Sequence, residues 1–184
     1  MRLISILIVF IIICSSVVSA NASGIVNFVG KCIGEKGYLM VLSKDKTFYI
    51  RGKAPEGLKE GEYVEVKGIE RIDRDGMTYI WALQIKRLIP KSIGDIIRSV
   101  KDYLGKRLLI SGEFRGWEGS ADPPPVTRSD WIVKDDTGYI YVLGAPPFNP
   151  IEDKGKEIVV IGTLKISKGD IPYIEPILVE GMSK

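Results

Sequence analysis

The sequence predicts an all-β fold: two tandem five-stranded Greek-key barrels joined by one amphipathic helix, after an N-terminal signal peptide. Three observations predict this arrangement. Short segments in which apolar and polar residues alternate, separated by turn residues, fill most of the chain. One segment near the middle has the periodicity of a helix instead. The segments before this helix and those after it repeat one another in the same order.

Each half of the chain contains five candidate strands. In both halves, strands two and three form one tight hairpin, and strands four and five form another. A looser connection containing Pro and Gly joins strand three to strand four, which gives the strand count of a five-stranded Greek-key barrel. The apolar run 158–161 predicts a strand buried on both faces, and Gly162 predicts a bend or bulge in it. The predicted strands are 24–33, 37–42, 47–51, 63–71 and 77–88, then 107–117, 130–135, 138–143, 157–165 and 171–179.

The helix candidate divides the mature chain into a first barrel over 21–90, a connecting helix over 91–105 and a second barrel over 106–184. Ser92 is placed as its N-cap, and Gly105 lies where a helix commonly ends in glycine. The spacing i, i+3, i+4, i+7, i+10 and i+11 predicts a face that packs on the core. This stripe consists of Ile93, Ile96, Ile97, Val100, Tyr103 and Leu104.

Three blocks of the first half match blocks of the second half in the same order. A shift of two residues inside one loop separates the first match from the others. We interpret the pattern as an internal duplication. The matched blocks are 47–52 with 139–144 at an offset of 92, and 61–68 with 155–162 and 79–80 with 173–174 at an offset of 94.

The N-terminus has the pattern of a secretory signal peptide over residues 1–20. A short cationic start precedes an apolar stretch, and small residues follow at Val18-Ser19-Ala20. The alternative is an uncut membrane anchor. Either outcome predicts a secreted or extracytoplasmic protein, with membrane contact only through residues 1–20 if they remain uncut.

The composition argues against enzymatic activity. The chain contains no histidine, which excludes histidine bases, histidine nucleophile pairs and histidine metal ligands. No phosphate-cradling Gly-Lys-Ser/Thr loop is present, and no cofactor is expected. Asp135 and Asp136, with Asp130 or Asp122, are the alternative for a cation site, but adjacent carboxylates in a turn normally serve the turn. We therefore predict no enzyme and no metal site.

Segments 105–112, 130–138 and 155–162 resemble the OB-fold superfamily, in the style of its anticodon-binding and replication-protein-A-like single-strand binders. The turn Asp135-Asp136-Thr137-Gly138 resembles their frequent hairpin signature. The resemblance covers most of 105–180 and is weaker in the first half, where Lys44-Asp45-Lys46 replaces the turn. It implies a ligand across strands two and three, flanked by the one–two and four–five loops, with single-stranded nucleic acid or an oligosaccharide as partner.

Outward aromatic residues beside cations supply the stacking surface that such a ligand needs. If Ile140 and Val142 point inward, the neighbouring tyrosines point outward. The alternative is that these tyrosines cover the barrel or the interface between the copies. The candidate residues on these strands are Tyr49, Arg51, Lys134, Tyr139 and Tyr141.

The loop between strands one and two of the second barrel is long, and long loops in compact domains are commonly functional or disordered. Its three prolines lower the entropy cost of holding one shape. Its recognition candidates are Arg115, Trp117 and Arg128. The alternative is structural: Trp117 closes the barrel end, and the arginines pair with Asp122 and Asp130.

Two functions follow from these features. The first is an exported, non-enzymatic protein that binds single-stranded nucleic acid or another extended polymer. The net charge of +3 is small compared with the basic excess of dedicated nucleic-acid binders. The second is a structural or protein-interaction module at the cell envelope, with an envelope protein as its partner.

Overall fold

The computed structural model describes residues 24–35, 38–43, 46–119 and 124–182. The predicted signal peptide over 1–20 lies outside the described residues. In the described part of the chain, no helix combines the length and the apolar content needed to cross a membrane.

The described residues form ten strands and two short helices. The strands agree with the sequence prediction to within about two residues at most ends, because alternation and turn residues mark strand positions well. The first five strands are β1 (Ile25–Glu35), β2 (Tyr38–Ser43), β3 (Lys46–Arg51), β4 (Tyr63–Ile72) and β5 (Thr78–Arg87). The helices α1 (Ile93–Arg98) and α2 (Val100–Tyr103) follow, and then β6 (Arg107–Gly116), β7 (Trp131–Asp135), β8 (Gly138–Val142), β9 (Glu157–Ile166) and β10 (Pro172–Gly181).

Each set of five strands closes into its own barrel. The order around the first barrel is β1-β2-β3-β5-β4, and β4 pairs with β1 to close it. The second barrel has the same order, β6-β7-β8-β10-β9. In both barrels the third strand pairs with the fifth in parallel, and the other pairs are antiparallel. The predicted pair of OB-type Greek-key barrels is confirmed.

The internal repeat is also a repeat of register. Ile50 pairs with Ile80 in the first barrel, and Val142 pairs with Ile174 in the second, which reproduces the offsets of 92 and 94. Single backbone hydrogen bonds recur as well: Cys32 N–H donates to Glu62 O at 2.7 Å, and Phe114 N–H donates to Lys156 O at 2.9 Å. Residues at these offsets therefore occupy equivalent positions in the two barrels.

Each barrel encloses its own apolar core, and a third cluster lies between the barrels. The run 158–161 on β9 serves two of these cores. Ile158 and Val160 point into the second barrel, whereas Val159 and Ile161 pack in the inter-barrel cluster, so the predicted burial of both faces is confirmed. The other buried members of that cluster are Val29, Leu88, Leu109 and Leu178.

Polar contacts complete the interface between the barrels. The Tyr63 hydroxyl donates a hydrogen bond of 2.7 Å to the Glu180 carboxylate. Burial and this carboxylate raise the pKa of Tyr63, so its hydroxyl keeps its proton at neutral pH. Arg107 forms an ion pair with Glu65 at 2.7 Å and donates to the Asn27 side chain at 3.2 Å. Apolar burial and these contacts fix one barrel against the other.

The single helix predicted over 91–105 is in fact two short helices. At Ser99 the backbone leaves the helical region, with φ −128° and ψ 43°. This break separates α1 from α2. Ser92 caps α1 as predicted, because its hydroxyl accepts from Asp95 N–H at 3.2 Å. The predicted stripe is only partly correct: Ile97 and Leu104 are exposed, since so short a helix reaches the barrel over a narrow face.

Gly162 lies on β9 opposite a β-bulge in β10, whereas the sequence predicted the bend or bulge in β9 itself. The register of β10 slips between Pro176 and Leu178, where Gly162 is the partner of Pro176. A Cβ atom at Gly162 would lie 2.5 Å from the carbonyl oxygen of Glu175. The close approach of the two backbones explains the glycine.

Candidate functional site

An aromatic surface lies on the outside of the first barrel, where β3 and β5 run side by side. Ile50 is buried, so its neighbours Tyr49 and Arg51 point outward. Ile80 on β5 is buried in the same way, and Trp81 is the parallel partner of Arg51. Tyr49 is 40% exposed and Trp81 is 52% exposed. We call this surface the Trp81 face; it consists of Tyr49, Arg51, Tyr79, Trp81 and Leu83.

The Arg51 guanidinium is held in place on this face. It lies over the ring of Tyr79, 4.1 Å from the ring centroid, and donates to the Asp73 carboxylate at 3.0 Å. Asp73 is itself fixed by the β4–β5 turn, since it accepts from Met77 N–H at 2.9 Å and Asp75 N–H at 3.0 Å. The hydrogen bond from Met77, with those from Asp75 and Arg51, lowers the pKa of Asp73 against the effect of burial. The cation of this face is therefore both ordered and neutralised.

Three members of the Trp81 face, Tyr79, Trp81 and Leu83, are not among the residues that the sequence predicted as ligand contacts. The OB-fold resemblance implies a ligand across strands two and three, whereas these three residues lie on the fifth strand. The sequence does indicate that Tyr79 and Trp81 share one face, because they flank the apolar residue Ile80 in a predicted strand. What the sequence does not display is the parallel pairing of β3 with β5, which brings Trp81 beside Arg51.

The second barrel carries different residues at the equivalent positions. Trp81 corresponds to Glu175, and Arg51 corresponds to Leu143. Tyr49 corresponds to Tyr141, which is only 5% exposed. The prediction that Tyr141 presents its ring to solvent is wrong. Tyr141 and its strand partner Ile132 lie on the outside of the barrel, but both side chains are buried.

Tyr139 and Lys134 do share an outer face, as predicted. They are partners in the β7–β8 register, and both are exposed, Tyr139 by 55%. The ring of Tyr139 lies edge-on to that of Tyr141, with centroids 6.2 Å apart. This surface offers one exposed ring and one cation, which is less stacking area than the Trp81 face provides.

The loop candidates of the second barrel lie apart from these strands. Arg115 pairs with Glu113 at 2.7 Å and with Glu118, which also pairs with Lys154 at 3.2 Å. The alternative in which an arginine pairs with Asp130 is wrong, and Asp122 lies outside the described residues. Trp117 is 47% exposed and does not close the barrel end. Arg128 is exposed, and no described residue forms an ion pair with it.

The two buried or half-buried aspartates of this barrel are occupied by backbone donors. Asp130 accepts from Val126, Thr127 and Gly144, and Asp135 accepts from Ile93, Thr137 and Gly138. Burial favours the protonated acids, but these hydrogen bonds outweigh it and lower the pKa of both carboxyl groups. Among the residues that the structure describes, no group of three acidic or cysteine side chains could hold a metal ion.

The predicted site residues thus fall on two barrels. Tyr49 and Arg51 lie together on the first, and the other six lie on the second. Of those six, the structure brings Lys134 next to Tyr139, places Arg115 and Trp117 close to the end of β6, and buries Tyr141.

No protein-family model matches the chain, and no curated protein matches it. The chain is similar to a solved multidomain protein with nucleic acid binding domains from Streptococcus pneumoniae TIGR4, at 16% sequence identity and a TM-score of 0.24. The similarity covers 83% of this chain and 45% of that protein, so the chain spans less than half of that protein's length. At this level of similarity, what that protein binds remains a property of that protein alone.

Proposed function

We propose that the chain is an exported, non-enzymatic binding protein that holds an extended polymer against the Trp81 face of its first barrel. The observation that carries the proposal is the pair of exposed rings, Tyr49 and Trp81, on neighbouring strands beside an ordered arginine. Exposed aromatic side chains on a rigid sheet stack on flat groups such as bases and sugar rings. The second barrel lacks this arrangement, so the first barrel is the binding unit.

Stacking, rather than charge, dominates this contact. The Arg51 guanidinium already satisfies Asp73, and the whole chain carries a net charge of only +3. A polymer that relied on many phosphate contacts would release many counterions and bind with a steep salt dependence. We expect a shallow salt dependence, with single-stranded nucleic acid and oligosaccharide as the two polymer classes to compare.

Two further parts of the proposal rest on the sequence. Export is supported by the signal-peptide pattern of residues 1–20. The absence of catalysis is supported by the lack of histidine in the full sequence. The resemblance of residues 105–180 to anticodon-binding and replication-protein-A-like binders supports a binding role for the fold, although a fold alone does not fix a ligand.

The test is a titration of labelled DNA, RNA and glycan ladders at low salt, followed by fluorescence anisotropy. Since a stacked ring contributes about 1–3 kcal/mol, Trp81→Ala should weaken binding by about 5- to 150-fold. Tyr139→Ala, which removes an exposed ring from the second barrel, is the matched control and should leave affinity unchanged. If Tyr139→Ala and Arg128→Ala weaken binding while Trp81→Ala does not, the site belongs on the second barrel.

A second function is favoured by the apolar residues around the same face. Leu83 is 54% exposed and lies two residues from the exposed Trp81 on β5, and it does not provide the stacking ring that a base or sugar needs. Contiguous exposed apolar residues are typical of a protein-interaction surface. A module that binds an envelope protein would show no polymer affinity, and Leu83→Asp would remove a partner that copurifies with the unaltered chain.

A further inference from the structure

The two barrels differ at one end, where the third strand leaves the barrel. In the first barrel this end holds a cavity of about 810 Å³. Its floor is formed by Cys32, Leu39 and Ile50, and its wall is the loop that joins β3 to β4. A volume of this size is typical of pockets that hold small molecules.

The repeat identifies the residues that occupy the same positions in the second barrel. The register of β1 and β6 places Cys32 with Phe114, because each donates its N–H to the residue just before the fourth strand. Leu39 pairs with Ile50, as Trp131 pairs with Val142. Two floor residues of the first barrel are thus replaced by larger aromatic residues in the second.

Aromatic rings fill that end of the second barrel. Phe114 and Trp131 are 0% and 1% exposed, and their rings meet edge-on with centroids 5.2 Å apart. Phe148, from the loop after β8, packs edge-on against Phe114 at 5.5 Å. The Lys156 ammonium lies 4.5 Å from the Phe148 ring centroid. The same fold therefore accepts a cluster of three planar rings at this place.

The wall of the first cavity is held in place by contacts within the chain. Arg87 donates to the carbonyl oxygen of Gly57 in the loop and pairs with the Glu62 carboxylate at 2.6 Å. Glu62 in turn accepts from Lys59 N–H at 2.9 Å. Because the loop is tied back to β5, binding does not have to order it first, which removes an entropic cost.

We infer that the open end of the first barrel binds a small planar aromatic molecule, which takes the place that Phe114, Trp131 and Phe148 fill in the second barrel. The binding is non-covalent. Burial, with the nearby Glu62 carboxylate, raises the pKa of the Cys32 thiol to about 11, so the sulfur is protonated at neutral pH and does not act as a nucleophile.

The test uses indole as a neutral planar probe and cyclohexylmethanol as a non-planar control, each titrated into the full chain. Amide resonances in two-dimensional NMR spectra report the location. Indole should shift the resonances of Cys32, Leu39 and Ile50, and cyclohexylmethanol should not. Leu39→Trp, which copies the second barrel, should weaken indole binding by about tenfold or more, since the added ring occupies the site.

A gain-of-function variant protects the test against misfolding of the first barrel. Phe148→Ala removes the outermost, half-buried ring of the second barrel and should create a second indole site there. Trp81→Ala should leave indole binding at the cavity unchanged, which separates this inference from the polymer site. Shifts centred on Trp81, or a folded Leu39→Trp protein that binds indole as the unaltered chain does, would overturn the inference.

Discussion

The carboxylate of Asp135 accepts a hydrogen bond of 2.7 Å from the backbone N–H of Ile93. Asp135 belongs to the β7–β8 turn of the second barrel, and Ile93 is the first residue of α1. The Thr137 hydroxyl in the same turn accepts from Gly94 N–H, also at 2.7 Å. A helix start has backbone donors without partners inside the helix. The turn therefore supplies caps that the linking segment needs.

Replacing Asp135 should loosen α1 from the second barrel. Asp135→Ala removes acceptors for Ile93 N–H and for three donors within the turn, and loss of a helix cap costs about 0.5–2 kcal/mol. We expect a lower urea midpoint with an unchanged slope. Asp136→Ala, at the exposed neighbouring position, is the control and should stay close to the unaltered chain. Equal stability of the two variants would show that the turn does not support the helix.

Acid should lower the stability of the second barrel, where Asp130 and Asp135 accept backbone hydrogen bonds. The pKa of Asp135 and that of Asp130 are both lowered, so each carboxylate contributes stability that is present above the unfolded value of about 4. That contribution is lost as the pH falls below this value and through the folded pKa. The melting temperature of the unaltered chain should fall more between pH 5 and pH 2 than the melting temperature of Asp135→Asn. Parallel pH profiles would contradict the assignment.

Gly94 should tolerate no side chain. A Cβ atom there would lie 2.9 Å from the Cβ of Thr137 and 3.0 Å from its carbonyl oxygen. Because backbone cannot yield easily, Gly94→Ala should destabilise the protein by about 1–3 kcal/mol. Gly169→Ala, whose Cβ would come no closer than 3.9 Å to the nearest side-chain atom, should change stability little. Chemical denaturation measures both variants.

The inter-barrel hydrogen bond of Tyr63 should be measurable by itself. Tyr63→Phe keeps the ring and removes the donor to Glu180, which should cost about 0.5–1.5 kcal/mol. The pKa of Tyr63 is raised in the folded chain, so this contribution is present at neutral pH and is lost as the pH rises above about 10, where an unfolded tyrosine ionises. The gap in stability between the two proteins should therefore narrow in alkali.

Tyr141 should behave as a packing residue. Its side chain is 5% exposed, so Tyr141→Ala should leave a cavity and destabilise the second barrel by about 3–5 kcal/mol. Tyr139→Ala on the same strand removes an exposed ring and should cost far less. Calorimetry of the two variants gives the comparison. A Tyr141→Ala protein as stable as Tyr139→Ala would mean that the burial contributes nothing.

Local patterns were sufficient to predict the barrels but not the Trp81 face. Strand positions follow from alternation and turns, and the register repeat was visible as the offsets of 92 and 94. The exposure of Trp81 and the burial of Tyr141 depend instead on which strands become neighbours and what covers them. Equivalent positions in the repeat, such as Tyr49 and Tyr141, therefore differ in exposure although their local sequences look alike.

The linking helix, too, was predicted correctly only where its structure depends on local sequence. Its cap at Ser92 was predicted because capping is local, but the interruption at Ser99 was not. The periodic stripe indicated one continuous helix through to Leu104. Contacts from the β7–β8 turn fix only the first turn of α1, and the later residues follow the path that leads into β6.

The linking segment is attached to the second barrel along its length. Pro90 forms a parallel bridge with Leu109, and Lys91 N–H donates to Leu109 O at 2.9 Å. On the other side, Leu88 N–H donates to Tyr63 O of the first barrel. Only Ile89 lies between these two anchored points. Any rotation of one barrel about the other must therefore change the backbone of that single residue and separate the apolar side chains of the inter-barrel cluster.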